Sequence, residues 1–285
     1  MQTIPLATSA ASRYLEVVVS SPLLVHPLLC ESAAANMATD LWSLLEYPQD
    51  EHPRYRHFDW KRPCVTFGYG QQFDWVCGET GRKESDLCRR PTGGGIVVHG
   101  EDWTYSLVIP PEHHVCEGSA AEVYLHVHEA LAVAFAECGI KTALLPCADT
   151  GTSAVPRKVI PGQCFLEPVA RDLVLPDSGT KVAGSAMKRT RAGILLQGTI
   201  DRRSLKKNVD WKILESRFLD GLAAYLVAEP EPVPWPENFA EVRAPYVEQF
   251  ASAGWLRQRK SMLSQRLARS PRAVSAERGR TAGPS

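Results

Sequence analysis

The chain has 285 residues, of which 44% are hydrophobic and 22% are charged, and this globular composition excludes wholesale disorder. The 32 basic and 32 acidic residues give a formal net charge of zero, which argues against a protein that binds nucleic acid over its whole surface. The eight cysteines form no CxxC pair, and no apolar run reaches the ~18 residues of a membrane span. We therefore expect no structural zinc site and no secretory signal, and a cytoplasmic protein with reduced thiols.

The first predicted elements are a strand and a helix. An apolar run from Tyr14 to Val19 is typical of a strand, and residues 31–46 carry apolar side chains at helical spacing. The short apolar segment from Val65 to Gly70 ends in glycines, so it predicts a strand that runs into a loop.

The strongest helix signal extends from Ser119 to Cys138. Ser119 and Glu122 form the pattern of a capping box, apolar residues recur on one face, and a glycine follows the last residue. His126 and His128 lie two residues apart and therefore on different faces of this helix. We expect them to be surface or packing histidines rather than metal ligands.

From residue 172 onward the pattern changes to strands. Residues 172–175 predict a short strand, residues 176–179 a turn, and residues 181–186 the start of a returning strand. A second turn then precedes a strand over residues 194–200. These strands form a meander, so we expect an α/β (α+β) fold with a mixed, partly antiparallel sheet and packed helices.

A further amphipathic helix is expected from Asp210 to Leu226. From residue 257 onward the chain carries eight basic residues and one acidic residue with few large apolar side chains, a composition typical of a disordered tail. We therefore expect one globular domain over residues 1–256 and a basic, disordered tail over residues 257–285.

The segment Arg89–Ser106 (RRPTGGGIVVHGEDWTYS) is the first candidate for chemistry. Its consecutive glycines, 93–95, let the backbone approach a ligand, and Arg89 and Arg90 supply positive charge for a phosphate or carboxylate. His99 follows near the next turn. The segment is neither a P-loop nor a dinucleotide fingerprint, because no Gly-Lys-Ser/Thr follows and a strand comes next. A plain glycine-rich loop with solvated arginines is the alternative.

The second candidate is the segment Cys164–Ile200. Lys181 enters a strand that continues with three small residues, and these leave a groove in which an alkyl chain or a cofactor tail can lie. The small residues are Gly184, Ser185 and Ala186. A lysine at the mouth of such a groove can polarise a carbonyl and favour the thiolate of a nearby cysteine. The alternatives are a solvent-facing lysine and an inert, buried Cys164.

Four segments together resemble the lipoate-protein ligase and octanoyltransferase family, which is related in fold to the biotin protein ligases. Two of them are weak on their own, residues 36–40 (NMATD) and residues 58–71, where FDWKRP leads to GYGQ. The arginine–glycine block and TKVAGSAMKRTRAGILLQGTI, which resembles the family's lysine motif, are specific. The resemblance covers about residues 30–228 and is closest to the cysteine-dependent octanoyltransferases.

This resemblance implies one catalytic domain, with a mixed sheet, helices on one side and a cleft for an octanoyl or lipoyl chain. It also implies that the arginine–glycine block lines the cleft and that Lys181 contacts the acyl carbonyl. With the small residues of the groove, the candidate substrate-binding residues are Arg89, Arg90, Thr92, Gly93, Gly94, Gly95, His99, Gly184, Ser185 and Ala186.

In the cysteine-dependent members, a Cys-Phe pair followed by a proline precedes the lysine motif, and that cysteine is acylated. Cys164-Phe165 with Pro168 fits this arrangement, so the resemblance implies Cys164 and Lys181 as the catalytic residues. The chain departs from the family where relatives commonly carry a histidine, because it has Leu196-Gln197 there. The arginine-rich loop of the biotin ligases is also absent, which argues against biotin as the transferred acid.

The leading hypothesis for function is transfer of an octanoyl or lipoyl group to a lysine of a lipoyl domain through a thioester on Cys164, with no cofactor. The implied donor is octanoyl-acyl carrier protein, and the implied acceptors are lipoyl domains or the glycine cleavage H protein. Neither nucleic acid nor a membrane is expected as a partner.

The alternative hypothesis is an ATP-dependent lipoate-protein ligase that forms lipoyl-adenylate with ATP and Mg²⁺, and for which Cys164 is dispensable. The short stretch after the last predicted helix cannot hold the accessory domain that many such ligases carry, which favours the transferase. Amidotransfer between lipoylated proteins and a binding module without turnover also stay open.

Overall fold

The computed structural model describes residues 21–48, 51–146, 169–205 and 208–263. The predicted strand from Tyr14 to Val19 and the candidate Cys164 lie outside these residues. Within the described ranges, no helix combines the length and the apolar character that crossing a membrane requires.

In the described part of the chain the strands form two sheets, the larger with eight strands. Its strands are β1 (Ser21–Glu31), β2 (Arg54–Trp60), β6 (Asp102–Ile109), β7 (Ala143–Leu144), β8 (Leu173–Val174), β9 (Lys181–Thr190), β10 (Gly193–Asp201) and β11 (Ala228–Pro232). Their order across the sheet is β11-β1-β2-β6-β10-β9-β8-β7. Parallel pairs join β1 to β2 and to β11, whereas the pairs from β2 to β7 are antiparallel, so the sheet is mixed as predicted. The meander β8-β9-β10 confirms the strand prediction for residues 172–200.

A smaller sheet of three strands carries the arginine–glycine block. Its order is β4-β3-β5, with β3 (Cys64–Phe67) between β4 (Leu87–Arg89) and β5 (Val97–His99). The predicted strand after residue 65 is β3, and the glycine-rich residues 93–95 join β4 to β5. The block therefore spans the two edges of this sheet.

Six α-helices accompany the sheets in the described residues: α1 (Ala33–Leu45), α2 (Phe73–Thr80), α3 (Ala120–Glu137), α4 (Trp211–Leu226), α5 (Phe239–Ala251) and α6 (Ala253–Gln258). Helix α3 begins with the predicted capping box, in which the Glu122 N–H donates to Ser119 Oγ and the Ser119 N–H donates to Glu122 Oε2. Gly139 follows the helix with a φ of 72°, which favours glycine.

Helices cover both faces of the large sheet, so the expectation of helices on one side is wrong. Leu107 and Ile109 of β6 face a core cluster that contains α3 and α4, whereas the intervening Val108 faces a second cluster with α1 and α5. Alternate residues of a strand point to opposite faces. The second layer was missed because α5 lies beyond the segments that carry the resemblance and contains a proline, Pro245.

The first residues of the predicted tail are packed against the domain. Arg257 of α6 forms an ion pair with Glu84, and Leu263 is only 7% exposed within the cluster that contains α1. The remainder of the predicted tail, residues 264–285, lies outside the described residues.

Acid should destabilise the fold through a buried histidine in β1. His26 stacks on Trp235 with ring centroids 4.1 Å apart, and neither of its ring nitrogens has a hydrogen-bond partner. Burial, together with the charges of Arg56 and Arg54, lowers the pKa of His26 from 6.5 to about 3. The unfolded chain therefore binds the extra proton, and His26 removes stability as the pH falls from 6.5 towards 3.

We expect this effect to reach ~1.4 kcal/mol per pH unit at its steepest. The free energy of unfolding, measured in urea between pH 7 and pH 5, should fall less steeply in His26→Phe, which keeps a stacked ring without a titrating nitrogen. His126→Gln changes an exposed histidine of α3 and is the matched control. Identical slopes for His26→Phe and the parent would contradict the assignment.

Candidate active site

A cavity lies between the two sheets, on the face of the large sheet that carries α1. Its empty volume, including space open to solvent, is about 380 Å³, and the atoms exposed in its wall are almost all apolar although several polar residues contribute to it. It is lined by Met37, Phe58, Trp60, Thr66, Arg90, Val97, His99, Thr104, Gly184, Ser185, Ala186, Gln197, Gly198 and Thr199. Apolar wall atoms favour an alkyl chain over a polar ligand.

Lys181 places a buried amine against Gly184, one of the residues that line this cavity. Its side chain is almost fully buried, and Nζ lies 2.7 Å from Asp172 Oδ2. A Cβ at position 184 would lie 2.6 Å from Lys181 Nζ, so the amine rests directly over the glycine that forms part of the cavity wall. The alternative of a solvent-facing lysine is therefore wrong, and Asp172 is a site residue that the sequence analysis missed.

Replacing Gly184 with alanine should displace the Lys181 amine. The new Cβ would meet Lys181 Nζ and Cε at 2.6 Å and Asp172 Oδ1 at 2.8 Å, distances that real Cβ contacts do not show. For the octanoyl transfer expected from the sequence, kcat/KM should fall at least about tenfold. Gly78→Ala, where nothing lies within 4 Å, should leave kcat/KM unchanged. Equal activity of the two variants would show that the position of the amine is not important.

Arg90 organises the glycine-rich turn. Its Nη2 donates to Gly93 O at 2.9 Å and to Gly95 O at 2.8 Å, and its Nη1 donates to Thr66 Oγ1 at 2.8 Å. Gly94 has a φ of 85°, which a residue with a side chain rarely adopts. The turn carbonyls thus point at Arg90, and the arginine also lines the cavity.

His99 is held by partners on both ring nitrogens. Its Nδ1 donates to Asp102 Oδ2 at 2.7 Å, and its Nε2 lies 2.7 Å from Thr66 Oγ1. Burial raises the pKa of Asp102, but the interaction with His99 and hydrogen bonds from Thr104 and Gly100 outweigh it, so the pKa lies well below its usual range. Asp102 therefore stays ionised and fixes the His99 ring in the cavity wall.

Gln197 of β10 bridges two buried groups. Its Oε1 accepts from Thr92 Oγ1 at 2.6 Å, and its Nε2 donates to Asp40 Oδ2 at 2.6 Å. Asp40 also accepts from Arg56 and from Ser106. Thr92 is thus placed by a hydrogen-bond network that ties the arginine–glycine block to α1 and β10.

Arg89 lies away from the cavity, unlike Arg90. Its Nη1 donates to Tyr69 O and to Gln71 O, each at 2.7 Å, and its Nε donates to Leu256 O at 3.0 Å. Its guanidinium therefore binds backbone carbonyls, and the structure gives it a place in the scaffold rather than in the cavity wall.

The three small residues of the groove alternate between the two faces of β9. Gly184 and Ala186 pair with Thr199 and Gln197, whereas Ser185 pairs with Gly198. All of these residues contribute to the cavity wall, but the Ser185 hydroxyl is directed towards α3. There the hydroxyl lies 2.7 Å from His128 Nε2. His128 is buried and hydrogen-bonded, and His126 on the neighbouring face is exposed.

The residues that sequence reasoning missed are Asp172, Asp40, Gln197 as a bridging group, and His128 as a hydrogen-bonding group. A signal existed for Asp172, because it directly precedes the strand that pairs with the lysine-bearing strand. No local pattern marks Asp40, which lies inside an amphipathic helix.

The two sheets with their intervening cavity define the fold of the lipoate-protein ligase catalytic domains. A structure of an archaeal lipoylation system from Thermoplasma acidophilum, comprising a bipartite lipoate protein ligase and its E2 lipoyl domain, matches with a TM-score of 0.64 and 13% identity. The match covers 85% of this chain and 99% of that chain. A lipoate-protein ligase A bound with ATP matches with a TM-score of 0.61 and 15% identity, over 83% and 98% of the two chains. At these low sequence identities the two structures show a similarity of fold alone, and this similarity confirms the predicted fold class.

The chain belongs to the lipoyl protein ligase A/B catalytic domain family, which it matches over residues 32–211. The octanoyltransferase LipM of Oceanobacillus iheyensis is 34% identical over 173 residues, 59% of each chain. The octanoyltransferase LipM of Symbiobacterium thermophilum is 30% identical over 238 residues, 76% of this chain and 81% of that protein. The chain thus spans about three fifths of the length of the Oceanobacillus iheyensis protein. The predicted family is confirmed.

Proposed function

We propose that this protein transfers an octanoyl or lipoyl group to a lysine side chain of a lipoyl domain, through a thioester on Cys164. The observation that carries the proposal is the buried Lys181 amine, held by Asp172 over Gly184 at an apolar cavity. Membership of the family and the octanoyltransferase activity named for the relatives support the same chemistry.

Two steps account for the transfer. The Cys164 thiolate attacks the thioester carbonyl of the donor, the carbon–sulfur bond to the carrier breaks, and the carrier sulfur leaves as a thiolate that takes up a proton. The neutral amine of the acceptor lysine then attacks, a carbon–nitrogen bond forms, and the bond to Cys164 breaks. The nitrogen gives its proton to the departing sulfur or to water. The first step exchanges one thioester for another and the second makes an amide, so neither requires ATP.

The described residues supply position and charge for these steps. The Lys181 ammonium donates to the acyl carbonyl oxygen and stabilises the oxyanion of each tetrahedral intermediate. Asp172 holds that ammonium in place, and the apolar cavity takes the alkyl chain. Arg90 and Gln197 fix the glycine-rich turn and Thr92 beside the chain.

The donor in this proposal is octanoyl-acyl carrier protein, and the acceptor is a lipoyl domain or the glycine cleavage H protein. Both offer a reacting group at the end of a flexible arm, a thioester in the donor and a lysine amine in the acceptor. Each arm can enter in turn and leave before the next arrives, so we expect ping-pong kinetics.

Mass spectrometry tests the proposal. Incubation with octanoyl-acyl carrier protein in the absence of ATP should place one octanoyl group on the peptide that contains Cys164. A chase with a lipoyl domain should remove that group and octanoylate the acceptor lysine. Transfer of free lipoate that depends on ATP, with no adduct on Cys164, would contradict the proposal and indicate a ligase.

A further inference from the structure

A chain of polar groups crosses the otherwise apolar core between β9 and α3. Tyr105 Oη lies 3.3 Å from Ser185 Oγ, Ser185 Oγ lies 2.7 Å from His128 Nε2, and His128 Nδ1 lies 2.6 Å from the Arg171 carbonyl oxygen. A carbonyl only accepts, so Nδ1 carries the hydrogen and Nε2 accepts from the Ser185 hydroxyl. Burial lowers the pKa of His128, which agrees with a neutral ring.

The His128 ring donates a hydrogen bond to the backbone of Arg171, a residue in a strained conformation. Arg171 has a φ of 74°, a left-handed conformation that is costly for a residue with a side chain. Its N–H donates to Leu145 O at 2.7 Å, which fixes the peptide unit on the N-terminal side of residue 171. The His128 bond fixes the carbonyl on the other side, immediately before Asp172.

We propose that His128 is a positioning residue for the Lys181–Asp172 pair, acting through the Arg171 carbonyl. With the left-handed turn held, the Asp172 carboxylate accepts from the Val169 N–H at 2.7 Å and meets Lys181 Nζ at 2.7 Å. Without the His128 bond, residue 171 relaxes towards a negative φ and the carboxylate leaves the amine. The expected effect on turnover rests on the function proposed above for Lys181. The expected effect on the position of the Lys181–Asp172 pair does not depend on that function.

Two substitutions of His128 test the hydrogen bonds of its two ring nitrogens separately. Asparagine can place an amide N–H near the position of Nδ1 and keep the Arg171 bond, whereas glutamine reaches the position of Nε2 and keeps only the Ser185 bond. His128→Asn should therefore retain the pair and His128→Gln should lose it. Ser185→Ala leaves the bond from His128 to Arg171 in place, so it should retain the Lys181–Asp172 pair as His128→Asn does. His126→Gln, on the exposed face of the same helix, is the matched control.

The first measurement is the rate at which acetic anhydride acetylates Lys181 in the folded protein, relative to Lys212, read by mass spectrometry. We expect a rise of at least about fivefold in His128→Gln and less than about twofold in His128→Asn, Ser185→Ala and His126→Gln. The second measurement is transfer kinetics, in which His128→Gln should lower kcat about tenfold with little change in KM. If the parent protein shows no acyl transfer, the proposed function is refuted. The acetylation rates of Lys181 still test the positioning role of His128 in that case.

A second change tests the backbone directly. Arg171→Gly adopts the left-handed conformation without strain, so adding it to His128→Gln should lower the Lys181 acetylation rate back towards that of the parent. Equal acetylation of the asparagine and glutamine variants, or an increase in Ser185→Ala, would overturn the inference. If neither variant at position 128 folds, the Ser185→Ala result alone decides, because that variant keeps His128 and its bond to Arg171.

Discussion

Cys164→Ala should abolish acyl transfer while the protein keeps its fold. Removal of a catalytic nucleophile commonly lowers turnover by at least ~1,000-fold, and alanine is close in size to cysteine. The measurement is steady-state octanoylation of a lipoyl domain, with the thermal unfolding midpoint as the check on folding. Full activity in this variant would remove the thioester and favour the ligase mechanism.

Cys138→Ala is the matched control for this prediction. Cys138 ends α3 and is half-buried, and burial raises the pKa of its thiol. Burial likewise raises the pKa of Cys88 to about 12, although Arg90 opposes the shift. Both thiols are protonated at neutral pH and are poor nucleophiles. None of the cysteines in the described ranges lines the cavity, so Cys138→Ala should retain the activity of the parent.

Lys181→Ala should lower turnover at least about a hundredfold, because in the proposed mechanism the oxyanion loses its charged donor. The same change leaves the Asp172 carboxylate buried without its partner, which should cost about 3–5 kcal/mol of stability. Lys181→Arg should recover activity only in part, since a planar guanidinium cannot occupy the place of a compact ammonium over Gly184.

A double variant separates catalysis from stability. Lys181→Ala with Asp172→Asn removes the buried charge and should regain most of the unfolding free energy lost in Lys181→Ala. It should not regain transfer activity. Recovery of turnover together with stability would show that Lys181 serves the fold and not the reaction. The measurements are urea unfolding and kcat/KM on the same preparations.

The sequence predicted those features that depend on residues close together in the chain. The meander, the capping box at Ser119 and the arginine–glycine turn each depend on neighbouring residues, whose turn and capping chemistry can be read directly. The position of Lys181 within its strand was predicted in the same way. Its burial was not, because an ionised lysine is normally exposed unless a partner is present, and that partner precedes a different strand.

The remaining features depend on contacts between distant parts of the chain. Gln197 meets Asp40 across 157 positions, and Thr92 meets Gln197 across 105. These contacts follow from the register of β6 and β10 and from the docking of α1, none of which has a signature in a local pattern. Residues 102–107 of β6 alternate polar and apolar side chains, a pattern typical of a strand with one solvated face, yet every residue of β6 is buried between two layers of helices.

Helix α6 is tied directly to the strand that begins the arginine–glycine block. Trp255 Nε1 donates to Arg89 O at 3.0 Å, while Arg89 Nε donates to Leu256 O at 3.0 Å, contacts that span 166 and 167 positions. During synthesis, β4 and its turn leave the ribosome long before α6 exists, so this edge of the small sheet stays incomplete until α6 has been made. We therefore expect the cavity between the two sheets to form late, and nascent chains that stop before Trp255 should not complete it.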